Sequence, residues 1–198
     1  MVQVVVPSRL DIPRYRELRI DIERVVSNIN GQFGSPGWVP IHYIHRQLER
    51  VELLAYYRAA DVALVTPLKD GMNLVCKEYC AAQIDDSGVL ILSEFAGAAS
   101  QLSDGALLVN PNDIDRVGQV VQRALGMESE ESRRRMRTLR AIVKQEDVYR
   151  WAKRFFSQSR NAQTSRITSF EVASLIELPM MAQSVASGLC KGQELFRQ

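Results

Sequence analysis

Asp61-Val62-Ala63-Leu64-Val65-Thr66-Pro67-Leu68-Lys69-Asp70-Gly71-Met72-Asn73-Leu74-Val75-Cys76-Lys77-Glu78 holds three elements in a fixed order. Val62 to Val65 is an aliphatic run bounded by Asp61 and Pro67, and it reads as a buried strand. A polar turn with a glycine follows, and then good helix formers. That order places free backbone N–H groups around Asp70 to Asn73, at the carboxyl end of a sheet, where a positive helix terminus suits an anion. Glu78 stands four residues after Leu74, on the same side of the helix. A phosphate cradle with a carboxylate one turn further on is what a nucleotide requires. The local pattern alone defines a ligand loop and no more.

Outward from this stretch the order repeats. Val2 to Val6 reads as a strand closed by Pro7. A helix is expected from Pro13, with Asp11 as a cap and Leu18, Ile22, Val25 and Ile29 at helical spacing; Asn30-Gly31 and Ser35-Pro36-Gly37 end it. Ile41 to Ile44 is the next strand, and Val51 to Ala60 a helix with Leu54 and Ala55 inward. Asn73 to Gln83 is a helix, Val89 to Leu92 a strand, Ala98 to Leu102 a short helix and Leu107 to Val109 a strand. From Asp113, a plausible N-cap, only helices are expected. One carries the stripe Val117, Val120, Val121 and Leu125, a second runs from Glu128 to Lys144, and a third starts near Asp147 with Trp151, Phe155 and Phe156 as packing groups.

Strands without polar alternation, separated by helices, mean a parallel sheet covered on both faces. The fold expected is therefore doubly wound α/β, Rossmann-like, followed by C-terminal helices, with ligands at the carboxyl ends of the strands. Pro7-Ser8-Arg9 and Thr66 to Asn73 both lie at such ends. Residues 1–157 are expected to form this domain, and residues 158–198, rich in Ser and Gln, a divergent tail, partly helical or disordered.

With 198 residues and a net charge of +2, composition points to an ordinary globular domain and argues for neither a nucleic-acid nor a membrane partner. No apolar run approaches the ~20 residues of a membrane span. No secretory signal opens the chain, and three cysteines make no disulfide framework, so a cytoplasmic setting is expected.

Val4-Val5-Val6-Pro7-Ser8-Arg9, Ile29-Asn30-Gly31, Ala60-Asp61-Val62, Leu64-Val65-Thr66-Pro67, Asp70 to Val75, Lys77-Glu78-Tyr79, Gly88 to Ala99 and Val109-Asn110-Pro111 together resemble trehalose-6-phosphate synthase, a UDP-glucose-dependent glycosyltransferase of the GT-B type. The resemblance implies two Rossmann-like domains flanking a cleft, of which this chain corresponds to most of the second, donor-binding one, incomplete at its N-terminus. It implies that glucose moves from UDP-glucose to glucose 6-phosphate with retention and without a metal or other cofactor. Arg9 would hold the acceptor phosphate, and a guanidinium fork suits that task. Asp70, as catalytic residue, would meet hydroxyls of the transferred glucose, together with the amides of Gly71, Met72 and Asn73. Leu74 and Val75 would offer N–H groups to the diphosphate, with Cys76 and Lys77 in the same donor-binding turn. Glu78 would accept from both ribose hydroxyls, and Leu48 would meet the uracil edge through its backbone. The isolated chain is expected to be inactive. The alternative is a non-catalytic interaction or regulatory subunit that associates with a full-length synthase.

Plainer readings compete at each position. Asp70-Gly71 is also an ordinary turn with a helix cap, Arg9 also a solvated strand-end residue, and Glu78 also a surface partner for Lys77. Cys76 and Cys80 have metal-bridging spacing but no completing ligands, so they read as buried thiols. His42 and His45 complete no catalytic order. The five arginines between Ser132 and Arg140 follow Glu128, Glu130 and Glu131, which reads as a solvated helix rather than a nucleic-acid surface.

Overall fold

The computed structural model describes residues 1–7, 11–146, 149–150, 152–153 and 156–157. Arg9, Asp147, Trp151, Phe155 and the tail 158–198 lie outside the described residues. The chain divides into two compact units, Met1–Val143 and Lys144–Gln198. In the second, the described residues from 149 to 157 are helical, and Arg150 pairs with Glu146 at 3.4 Å.

The first unit alternates strand and helix: β1 (Val2–Val4), α1 (Pro13–Phe33), β2 (His42–Ile44), α2 (Arg50–Ala59), β3 (Val62–Val65), α3 (Leu74–Ala82), β4 (Val89–Ser93), α4 (Ala99–Leu102), β5 (Leu107–Val109), α5 (Ile114–Leu125) and α6 (Ser129–Gln145), whose last residues pass into the second unit. Among the described residues every strand pairing is parallel. The strands form two sheets, β1-β2 and β3-β4-β5, where one continuous sheet was expected. Among the described residues no strand pairs β1 or β2 with β3, β4 or β5.

β4 is buried along its whole length. Its side chains alternate between the two faces. Leu90 and Leu92 join Cys76, Tyr79, Cys80, Leu102, Met136 and Leu139. Val89 and Ile91 join Leu107, Val109, Val120 and Ala124 on the other face. Both faces are thus covered, which is why the strand sequence shows no polar alternation.

Several helix details differ from expectation. Ile12, not Asp11, occupies the N-cap of α1, without a side-chain bond. The helix runs through Asn30-Gly31, and the Asn30 side chain holds the residue just before β2: its Nδ2 donates to the Ile41 carbonyl and its Oδ1 accepts from the Ile41 N–H, both at 2.9 Å. Gly34 ends the helix, its N–H donating to the Asn30 carbonyl. Val26 is buried where Val25 was expected inward, and Leu18 is exposed. On α2 Leu54 and Ala55 are exposed, and Leu53, Tyr56 and Tyr57 are half-buried. On α5 Leu125 is exposed and Ala124 buried. Asp113 does cap α5, accepting from the Arg116 N–H at 2.9 Å.

The arginine-rich α6 packs through Ser132, Met136 and Leu139. Arg135 pairs with Glu131, while Arg137 and Arg140 clasp Asp86 at 3.3 and 2.6 Å. The bonds from Arg140 and then Arg137 hold the Asp86 carboxyl below its usual range. Among the described residues no helix is long and apolar enough to cross a membrane.

Candidate functional site

The loop from β3 to α3 is built against the loop that follows β4. The Asp70 N–H donates to the Phe95 carbonyl at 3.4 Å, and the Gly97 N–H donates to the Asp70 carbonyl at 2.8 Å. This continues the parallel pairing of β3 and β4 past the strand ends, as a bridge between Asp70 and Ala96. Gly97 lies so close that a Cβ there would stand 2.1 Å from the Gly71 carbonyl oxygen. Ser93, buried at the end of β4, accepts from the Phe95 N–H through its hydroxyl and braces the turn.

Asp70 folds its own loop. Its Oδ1 accepts from the N–H groups of Met72 (3.0 Å) and Asn73 (3.1 Å), and its Oδ2 from the Asn73 side-chain amide (3.0 Å). These bonds, the Met72 amide first, hold its carboxyl below the usual range. Asn73 is the N-cap of α3 and has φ 64°, a left-handed conformation that Asn tolerates better than most residues. Its Oδ1 accepts from the Cys76 N–H at 3.0 Å.

Four N–H groups at a helix start lack partners within the helix, here those of Asn73, Leu74, Val75 and Cys76. Asp70 satisfies the first and Asn73 the last. No described residue accepts from Leu74 or Val75, and both residues are exposed, at 57% and 48%. The Gly71 N–H is likewise unbonded among the described residues. The expectation of free amides throughout Asp70 to Asn73 is therefore corrected: Met72 and Asn73 are taken by the Asp70 carboxylate. The open donors are Gly71, Leu74 and Val75.

The next turn divides by face. Cys76 is buried, with its amide occupied and its thiol against the Asn73 carbonyl. Burial pushes the Cys76 thiol up to about 11 and the Cys80 thiol up to about 12, so both stay neutral packing groups. Cys76 thus presents neither amide nor thiol to a ligand. The Lys77 Nζ donates to the Gln101 side chain at 2.7 Å and so is tied to α4. Glu78 is exposed and receives a hydrogen bond from the Tyr57 hydroxyl of α2 at 3.2 Å. Leu48, between β2 and α2, is buried by its side chain, and its backbone N–H and carbonyl are unbonded among the described residues. Arg9 lies outside the described residues, so its contacts form no part of this geometry.

Sequence reading missed Tyr57 and Gly97. Tyr57 is one of two adjacent tyrosines on α2, and nothing local marks which one faces α3. Gly97 had a usable signal: a glycine just beyond an aliphatic strand, where backbones approach closely. A separate cavity of about 200 Å3 between α1 and the ends of β1 and β2 is lined by Val5, Ile22 and Tyr43 among others, and contains none of the assigned residues.

Parallel strands with helices on both faces, and an open helix terminus at their carboxyl ends, define a Rossmann-like domain, and the solved structures that superpose on it make it that of a GT-B glycosyltransferase. The chain belongs to glycosyltransferase family 20, whose profile matches residues 1–161. It is 53% identical over 155 residues to the trehalose-6-phosphate synthase of Mycobacterium avium, covering 78% of this chain and 31% of that protein. It is 52% identical over 155 residues to the Mycobacterium leprae counterpart, with the same coverage. Among solved structures, the alpha,alpha-trehalose-phosphate synthase (UDP-forming) of Burkholderia xenovorans in complex with glucose-6-phosphate superposes with a TM-score of 0.76 at 45% identity, covering 79% of this chain and 35% of that one. An E. coli structure bound with UDP-2-fluoro glucose gives a TM-score of 0.76 at 42% identity, again with 79% and 35% coverage. The chain thus spans about a third of the length of these curated relatives.

Proposed function

We propose that this chain forms the donor-binding wall of a retaining glucosyltransferase that moves glucose from UDP-glucose to glucose 6-phosphate, giving trehalose 6-phosphate and UDP. The observation that carries the reading is the pair of open amides, Leu74 and Val75, at the start of α3, with the exposed Glu78 one turn further on. Relatives with UDP-2-fluoro glucose and with glucose-6-phosphate bound support the choice of ligands.

In this reading the diphosphate lies over the Leu74 and Val75 amides, where the helix dipole and two fixed donors stabilise charge developing on the leaving group. Glu78 accepts from the ribose hydroxyls, and the Leu48 backbone meets the uracil edge. Asp70 keeps the loop in shape through Oδ1 and offers the free lone pair of Oδ2 to a glucose hydroxyl, beside the Gly71 amide. Arg9 takes the acceptor phosphate. The alternative of a non-catalytic subunit rests on the tail 158–198, outside the described residues.

Calorimetric titration of the full 198-residue chain with UDP tests the reading. Saturable heat is expected, and Glu78→Gln should weaken it about tenfold, the range of a lost hydrogen bond to a charged group. No heat from a chain that unfolds cooperatively would remove the donor assignment. Turnover of UDP-glucose and glucose 6-phosphate by the chain alone should be at background, because both walls must orient acceptor against donor.

A further inference from the structure

Glu78 is a long, exposed side chain, and a carboxylate free to rotate is a poor clamp for a vicinal diol. The structure supplies a restraint from another helix. The Tyr57 hydroxyl donates to Glu78 Oε2 at 3.2 Å, and Tyr57 is itself fixed from several directions. Its ring meets the buried Tyr79 edge-on, with centroids 6.4 Å apart and planes at 80°. Its carbonyl accepts from the side-chain amide of buried Gln83, which also donates to the Ala60 carbonyl at 3.2 Å. The Tyr79 hydroxyl donates to the same Ala60 carbonyl at 3.1 Å. The carbonyls of Tyr57 and of the C-cap Ala60, at the end of α2 where a helix leaves them unsatisfied, are thus held by the side chains of Tyr79 and of Gln83, the C-cap of α3. Tyr79 of α3 and the C-cap Gln83 hold the end of α2, and α2 returns one hydroxyl to Glu78, the only carboxylate of α3.

We propose that Tyr57 is a positioning residue that orients the Glu78 carboxylate for the ribose diol, and so sets the preference of this site for ribonucleotides over nucleotides lacking those hydroxyls. A carboxylate offers about four acceptor sites. Tyr57 takes one of them on Oε2, which restrains the rotation of the carboxylate and leaves acceptor sites on both oxygens for two adjacent hydroxyls. Burial, with the nearby Glu78, pushes Tyr57 up to about 12, so it remains a donor across the working pH range.

The inference rests on the donor-binding reading, and the experiment separates the two. UDP and 2′,3′-dideoxy-UDP are titrated into wild type, Tyr57→Phe and Glu78→Gln. Wild type should prefer UDP. Tyr57→Phe should lose roughly fivefold to tenfold of its UDP affinity and none of its dideoxy-UDP affinity, since only the diol meets the misplaced carboxylate. The unchanged dideoxy-UDP affinity also reports that the variant is folded. Equal losses for both nucleotides mean that Tyr57 only supports the fold, and no loss for either means that it does not position Glu78; each result overturns the inference. If Glu78→Gln erases the ribose preference while Tyr57→Phe retains it, the inference falls and the donor-binding reading stands. A wild type that binds UDP with no ribose preference overturns the inference and the ribose role of Glu78, while the diphosphate assignment stands; a wild type that binds neither nucleotide overturns the donor-binding reading itself.

Discussion

Replacing Gly97 with alanine should weaken UDP binding at least tenfold, even though Gly97 itself touches no assigned ligand position. A Cβ at Gly97 would lie 2.1 Å from the Gly71 carbonyl oxygen, 2.6 Å from the Gly71 carbonyl carbon and 3.1 Å from the Met72 nitrogen. All three are backbone atoms, so no flexible side chain can swing aside. The loop cannot retreat freely either, because the Gly97 N–H holds the Asp70 carbonyl at 2.8 Å. Overpacking of this kind costs about 1–3 kcal/mol, which lowers the melting temperature by roughly 2–12 °C for a chain of this size. The larger consequence is displacement of Gly71 and Met72, which carry the Asp70 network that sets up the first turn of α3. Gly118, on α5 with nothing within 4 Å of an added Cβ, supplies the control. Gly118→Ala should be neutral or slightly stabilising, since alanine favours helix interiors. Thermal unfolding and calorimetry on the two variants check the contrast. Equal UDP affinity in Gly97→Ala and wild type would contradict it.

Asn73 gives the second large effect, and here two substitutions should separate two causes. Its φ of 64° costs an ordinary residue about 1–2 kcal/mol. Its side chain caps α3 by accepting from Cys76 and also ties Asp70 through Nδ2. Loss of such a cap to alanine costs about 0.5–2 kcal/mol. Asn73→Ala should therefore lose roughly 1.5–4 kcal/mol when the two are combined. Asn73→Gly relieves the backbone strain and should lose well under half as much. Denaturant unfolding of both variants measures the difference. If glycine proves as harmful as alanine, the left-handed conformation at Asn73 is not what makes this position demanding.

The fold was largely legible because its strands declare themselves. Val62 to Val65, Val89 to Leu92 and Leu107 to Val109 are aliphatic without alternation, and each becomes a parallel strand within a residue of its expected bounds. Helix faces were less legible, for a specific reason. Where two apolar residues are adjacent, as at Val25-Val26, Leu53-Leu54 and Ala124-Leu125, spacing alone does not say which one turns inward. Packing selected Val26, Leu53 and Ala124. The break between β1-β2 and β3-β4-β5 was not readable, since strand order is a property of the whole sheet.

At the site, the sequence located the loop but not the competition within it. Asp70 is as good an acceptor for its own loop amides as for a ligand, and in the structure it takes those of Met72 and Asn73. The plain reading of Asp70-Gly71 as a turn and the ligand reading are thus both partly realised: the turn exists, and it leaves Leu74 and Val75 uncapped. Tyr57 was invisible for another reason. It reaches Glu78 across 21 residues of sequence, through a helix pairing that the local pattern does not encode.

The open amides at the start of α3 carry the whole functional reading, and they can be observed directly. In a nitrogen–proton correlation spectrum of the labelled chain, titration with UDP should move the Leu74 and Val75 amide signals most and to lower field, as each gains a charged acceptor. The Met72, Asn73 and Cys76 amides, already bonded, should move far less. Saturating UDP that leaves Leu74 and Val75 in place while shifting signals elsewhere would contradict the assignment of this helix terminus as the diphosphate site.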